Sequence, residues 1–191
     1  DGSRAAEIAR QSLKTQWEQL ERFPGDSKSA TQVVLTLNTL ASAQADQSLH
    51  RDAIDSLRQA IKVSRDLRSR WPEQASYRRD LGISLNQLGL SLSSVGRTER
   101  AISAFEEASK HARALIRVYG DDAQLHSMLG STLNNHAFLI QQLGDQRTAI
   151  TLYRDAIGHQ RLAVNLAPQV TRYQVYLSKH EHNLRNIRGE L

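Results

Sequence analysis

Seven histidines and no cysteine are the chain's candidates for metal or nucleophilic chemistry, and their spacing argues against both. His180 and His182 stand two residues apart, so on a helix they point to different faces and cannot close on one ion. His111 and His159 occupy equivalent places in a repeat described below, where helix packing would hold them on the order of 10 Å apart. The chain has no His-Glu-x-x-His pair, no Gly-rich phosphate loop and no serine nucleophile elbow. Without cysteine there is no thiolate ligand, thiol nucleophile or disulfide. The expectation is a segment that is not an enzyme, needs no cofactor and binds no metal, with histidines that serve packing or surface.

Arg65, Arg113 and Arg161 form a second recurring set. On a chain of formal charge +5 and pI near 9.8 they could make a basic stripe for an acidic partner or nucleic acid. Acidic residues are interspersed throughout, aromatic residues are 5% of the total, and no stacking platform is visible. The plainer reading is solvated charge whose stems cover apolar surface, and nucleic acid is not the expected partner.

The elements that must position these residues follow from a repeat of about 48 residues. Ala53-Ile54 returns as Ala101-Ile102 and Ala149-Ile150, Leu57 as Phe105 and Tyr153, and Ala60 as Ala108 and Ala156. Gly96 answers Gly144, and Phe23-Pro24, Trp71-Pro72, Tyr119-Gly120 and Ala167-Pro168 mark the unit ends with a helix breaker in second place. Each unit divides into two helices. Leu81, Leu85, Leu88 and Leu92 recur every three or four residues on the first. After a break at Gly96, the second buries Ala101, Ile102, Phe105, Ala108, Ala112, Leu115 and Ile116. Small residues at Ala101 and Ala108 let the pair approach while Phe105 fills the space between them.

The set Leu85, Leu88-Gly89, Leu92, Gly96, Ala101, Phe105 and Ala108 resembles the tetratricopeptide repeat, though the usual period of that family is about 34. The long units are similar to those of kinesin light chains and of bacterial arrays that accompany Ser/Thr kinase domains. The resemblance implies an all-α fold, a right-handed α-α superhelix of about eight antiparallel helices. One array would fill the chain: a second helix at 4–23, units at 27–71, 74–119 and 122–167, and a capping helix at 170–188.

In that family the first helices line a concave surface that binds a peptide. Carried over, the lining residues are Asn38, Asn86, Asn134 and His182, with Ser42, Leu90, Phe138 and Asn186 four residues on and on the same helix face. Amide side chains can satisfy a peptide backbone when it is desolvated, and Leu90 and Phe138 would add an apolar floor. The alternative is that the asparagines bridge neighbouring helices and the apolar pair packs between units.

The function implied is a scaffold binding a protein or peptide; the alternative is the non-catalytic docking region of a larger bacterial Ser/Thr protein kinase engaged in signalling. Residues 4–23 read as a second helix whose first is missing, which suggests a fragment cut at its N-terminus. Ile8, Leu13, Trp17 and Leu20 would then be exposed there and favour a homodimer. The last helix replaces Leu133, Ala137 and Ile140 with Glu181, Arg185 and Arg188, as a solvated cap and a natural C-terminus would. No apolar run approaches the ~20 residues of a membrane span, no signal peptide pattern opens the chain, and a cytoplasmic location is expected.

Overall fold

The computed structural model describes residues 2–189. Eight α-helices follow one another: α1 (Gly2–Arg22), α2 (Ser27–Asp46), α3 (His50–Arg70), α4 (Ala75–Ser94), α5 (Thr98–Tyr119), α6 (Ala123–Gln142), α7 (Gln146–Leu166) and α8 (Thr171–Ile187). No strand occurs among the described residues. The fold class is all-α, a tandem helical repeat. No helix among the described residues is long and apolar enough to cross a membrane.

Turn chemistry explains where the helices stop. Gly96 and Gly144 take left-handed φ values of 73° and 86°, which glycine adopts without a Cβ penalty. Ser48, one period before Gly96, takes the same conformation at φ 61° with a side chain in place. Behind it the Ser48 and Leu49 amides donate to the Ala45 and Gln44 carbonyls at 2.9 and 2.8 Å, so the end of α2 is closed as firmly as that of α4. Helix starts follow the period too. Asp26 caps α2 by accepting from the Lys28 amide, and Asp122 caps α6 by accepting from Leu125. Gln74 holds the same place before α4 with no side-chain cap.

The contacts divide the chain into two compact units, one ending at Ala104 and the other beginning at Phe105. In the first, α1 packs on α2, α2 on α3 and α3 on α4. Its core joins Ala6, Ala9 and Leu13 of α1 to Val33, Val34 and Leu37 of α2, with Leu67 and Tyr77 beyond. Trp17 and Leu20 pack against this core. The apolar patch expected to stand open on residues 4–23 is therefore largely covered: Leu13 is buried, Trp17 and Leu20 are partly buried, and Ile8 alone of the four is exposed. The reason is that α1 lays this face on α2, the helix that follows it.

In the second unit α6 packs on α7 and α7 on α8. Ala137, Ala149 and Tyr153 form one cluster with Leu184 and Ile187 of α8 against it, and Ala112, Leu129, Leu133 and Ala156 form another. Helices α6 and α7 approach so closely at Gly130 that a Cβ there would lie 3.0 Å from the Ala156 carbonyl oxygen. The repeating positions are the driest in the chain. Ala53, Ala101 and Ala149 are fully buried, as are Phe105 and Tyr153, with Leu57 close behind. Truncating a large side chain at such a site costs about 2–5 kcal/mol. At the far end, Arg185 of α8 and Arg188 just after it are exposed, and Glu181 pairs with Arg161 at 2.7 Å.

Candidate functional site

The asparagines expected to line a binding surface divide. Asn38 is buried on α2, and its Oδ1 accepts the Ser84 hydroxyl of α4 at 2.8 Å. Asn134 is buried on α6, where its Oδ1 accepts from Asn183 Nδ2 of α8 at 3.0 Å. Both side chains join successive first helices within their own unit. Asn86 is half-buried on α4. His182, the last of that set, is exposed. The outer row differs: Leu90 is 43% exposed and Phe138 50%, and Ser42 and Asn186 are exposed as well. Helices α4 and α6 thus each present one large apolar side chain to solvent from the same repeat position.

The arginine set does not make a uniform stripe. Arg161 is held by Glu181, while Arg113 lines a cleft in the second unit. That cleft, of about 520 Å³, lies where α5 and α7 flank α6. Lys110, Arg113 and Arg117 form its basic wall, and Ser109, His136 and Leu152 are among its other lining residues. Burial holds the His136 pKa below the usual histidine value, against the opposing pull of the Glu106 carboxylate. The His136 ring stacks on Phe105 with centroids 5.9 Å apart. The spacing of Lys110, Arg113 and Arg117 puts them on one helix face, a signal present in the sequence; the groove they face is not.

A cavity of about 500 Å³ in the first unit is walled by Trp17 and Trp71. Its Arg70 guanidinium is bound to Asp66 at 3.1 Å and to the Pro24 carbonyl at 3.0 Å. Asp26, also lining it, is spent on the α2 cap and held below the usual carboxylate range by the Ser29 hydroxyl. A smaller basic cleft of about 330 Å³ gathers Arg51, Arg58, Arg97 and Arg100, with Asp55 paired to Arg58 at 3.2 Å.

Histidines meet once. Nδ1 of His126 lies 2.9 Å from Nδ1 of His159, with ring centroids 5.2 Å apart, and His126 Nε2 lies 3.2 Å from Asp121. Burial, then His126 and Arg113, hold the His159 pKa below its usual value. No group of three or more His, Cys, Asp or Glu among the described residues could hold a metal ion. His180 is 2% exposed, neither ring nitrogen has a hydrogen-bond partner, and burial pushes its pKa down to about 4.

Residues 83–112, from α4 through Gly96 into α5, match the family model of the tetratricopeptide repeat. The match is to the repeat itself and does not extend to the kinesin light chain variety. No curated protein matches the chain. Among solved structures the chain is similar to BtubC (BKLC) from P. vanneervenii, at 14% identity over 100% of this chain and 92% of that one, with a TM-score of 0.40. It is similar to MamA at 18% identity over 100% and 94%, with a TM-score of 0.45. TTC0263, a thermophilic TPR protein of Thermus thermophilus, is similar at 17% identity over 94% and 98%, with a TM-score of 0.34.

Proposed function

We propose that the chain is a non-catalytic scaffold of tetratricopeptide-type repeats that binds a protein or peptide through large apolar side chains exposed on its first helices. The observation that carries this reading is the exposure of Leu90 and Phe138 at equivalent positions. Helix positions that solvent reaches are usually polar, and a large apolar side chain there, Leu90 on one first helix and Phe138 on another, offers area to a partner. The repeat match over 83–112 includes Leu90 and supports the same reading. Asn86 is the member of the amide row that would add polar contacts; Asn38 and Asn134 hold the first helices that carry the row.

The test is partner recovery with the wild-type chain and with Leu90→Ser/Phe138→Ser, both checked for helical content. Partners retained by the wild type and lost from the folded variant support the surface. Equal recovery by both removes it as the binding face.

A further inference from the structure

Lys110, Arg113 and Arg117 stand on the α5 side of the 520 Å³ cleft in the second unit. Among the described residues none of the three makes an ion pair or a hydrogen bond. Glu106 is the one acidic side chain lining the cleft, so three cations face one carboxylate. The charge left over here matches a dianion, and the planar guanidinium fork suits phosphate oxygens in particular.

The floor adds a second, independent observation. Ser109 is 4% exposed and His136 8%. Ser109 Oγ and His136 Nε2 are shielded from bulk water and neither has a hydrogen-bond partner. Buried polar atoms are nearly always paired, and an orphan marks a place where a partner is missing. Ser109 and His136 both line the cleft, and neutral His136 can offer an N–H. Leu133 and Leu152 supply apolar surface beside them.

We propose that this cleft binds a phosphomonoester, its oxygens held by Lys110, Arg113 and Arg117 and by the hydroxyl of Ser109. The source is a phosphorylated side chain of a bound peptide or a free phosphate ester. This site uses neither Leu90 nor Phe138 and does not depend on them. The Trp17 cavity lacks the charge excess, and the Arg51 cleft lacks buried polar groups in want of a partner.

The experiment is calorimetric titration of the whole chain with inorganic phosphate, with free phosphoserine, and with one peptide in phosphoserine and serine forms. Binding of the phosphate-bearing probes in the millimolar range or tighter is expected, with loss of about tenfold or more in Arg113→Ala/Arg117→Ala. Ser109→Ala should weaken the same probes while leaving helicity unchanged. A peptide that binds more tightly than free phosphoserine identifies the source as a phosphorylated side chain; equal affinity identifies a free ester. The proposal is overturned if the serine peptide binds as well as its phosphorylated form, or if no phosphate probe binds. It is equally overturned if Arg51→Ala/Arg97→Ala removes the binding and Arg113→Ala/Arg117→Ala does not.

Discussion

The side-chain amide of Asn183 donates to Asn134 Oδ1 at 3.0 Å, tying α8 to α6 across the second unit. Removing the acceptor leaves a buried amide position empty and its donor without a protein partner. Asn134→Ala is therefore expected to lower stability by about 1–3 kcal/mol. In a double-mutant cycle with Asn183→Ala, the two losses should fall short of additivity by about 1 kcal/mol. Urea unfolding of the four proteins measures both, and an additive cycle would show that the contact contributes nothing.

Helix α4 starts without a side-chain cap, although Gln74 has the backbone for one. Its φ and ψ are −80° and 99°, against −78° and 98° at the capping Asp26. Gln74→Asp should supply the missing acceptor and stabilise the chain by about 1 kcal/mol, raising Tm by about 2–4 °C. A thermal scan that shows no rise would mean that the new carboxylate finds another partner.

Ser48 sits at φ 61° where Gly96 and Gly144 occupy the matching turns. A side chain in that conformation costs about 1–2 kcal/mol, which glycine avoids at some loss of unfolded-state restriction. Ser48→Gly should thus be stabilising by about 0.5–1 kcal/mol, and Gly144→Ala destabilising by about 1 kcal/mol. Opposite signs in equilibrium unfolding are the expected result; the same sign in both would contradict the turn argument.

His180 makes stability depend on pH. Its folded pKa of about 4 lies below the usual value of 6.5 because burial disfavours the charged ring. The unfolded chain then binds more protons, so the contribution is present above pH ~6.5 and is lost as pH falls toward 4, by about 3 kcal/mol in all. His159 and His136, also lowered by burial, act in the same direction. His180→Leu should lose less stability than the wild type between neutral pH and pH ~5. Parallel urea midpoints for the two proteins across that range would rule the assignment out.

The repeating core is legible in the sequence because a large apolar side chain returns to one helix face: Leu57, Phe105 and Tyr153 are all buried, as their spacing requires. Asn38 and Asn134 are not legible in the same way. An amide on a first helix looks alike whether it faces solvent or the next first helix, and only the lateral neighbour, Ser84 or Asn183, decides. The cover over Leu13, Trp17 and Leu20 escapes the sequence for a related reason, since α1 finds its partner in the helix after it. The cleft at Arg113 gathers residues of α5, α6 and α7, a meeting that no local pattern in any one of these helices encodes.

The meeting of His126 and His159 fixes the identity of each ring. Only one hydrogen fits between two Nδ1 atoms 2.9 Å apart. With both rings neutral, Asp121, 3.2 Å from the far nitrogen of His126, keeps the His126 hydrogen on Nε2, so that His126 accepts at Nδ1 and His159 is the Nδ1–H tautomer. The two imidazoles are different chemical species, and the chain of donors runs one way, from α7 through α6 to the carboxylate ahead of it. Turning the order round would set a lone pair against Asp121, so the contact between α6 and α7 carries a direction as well as an area.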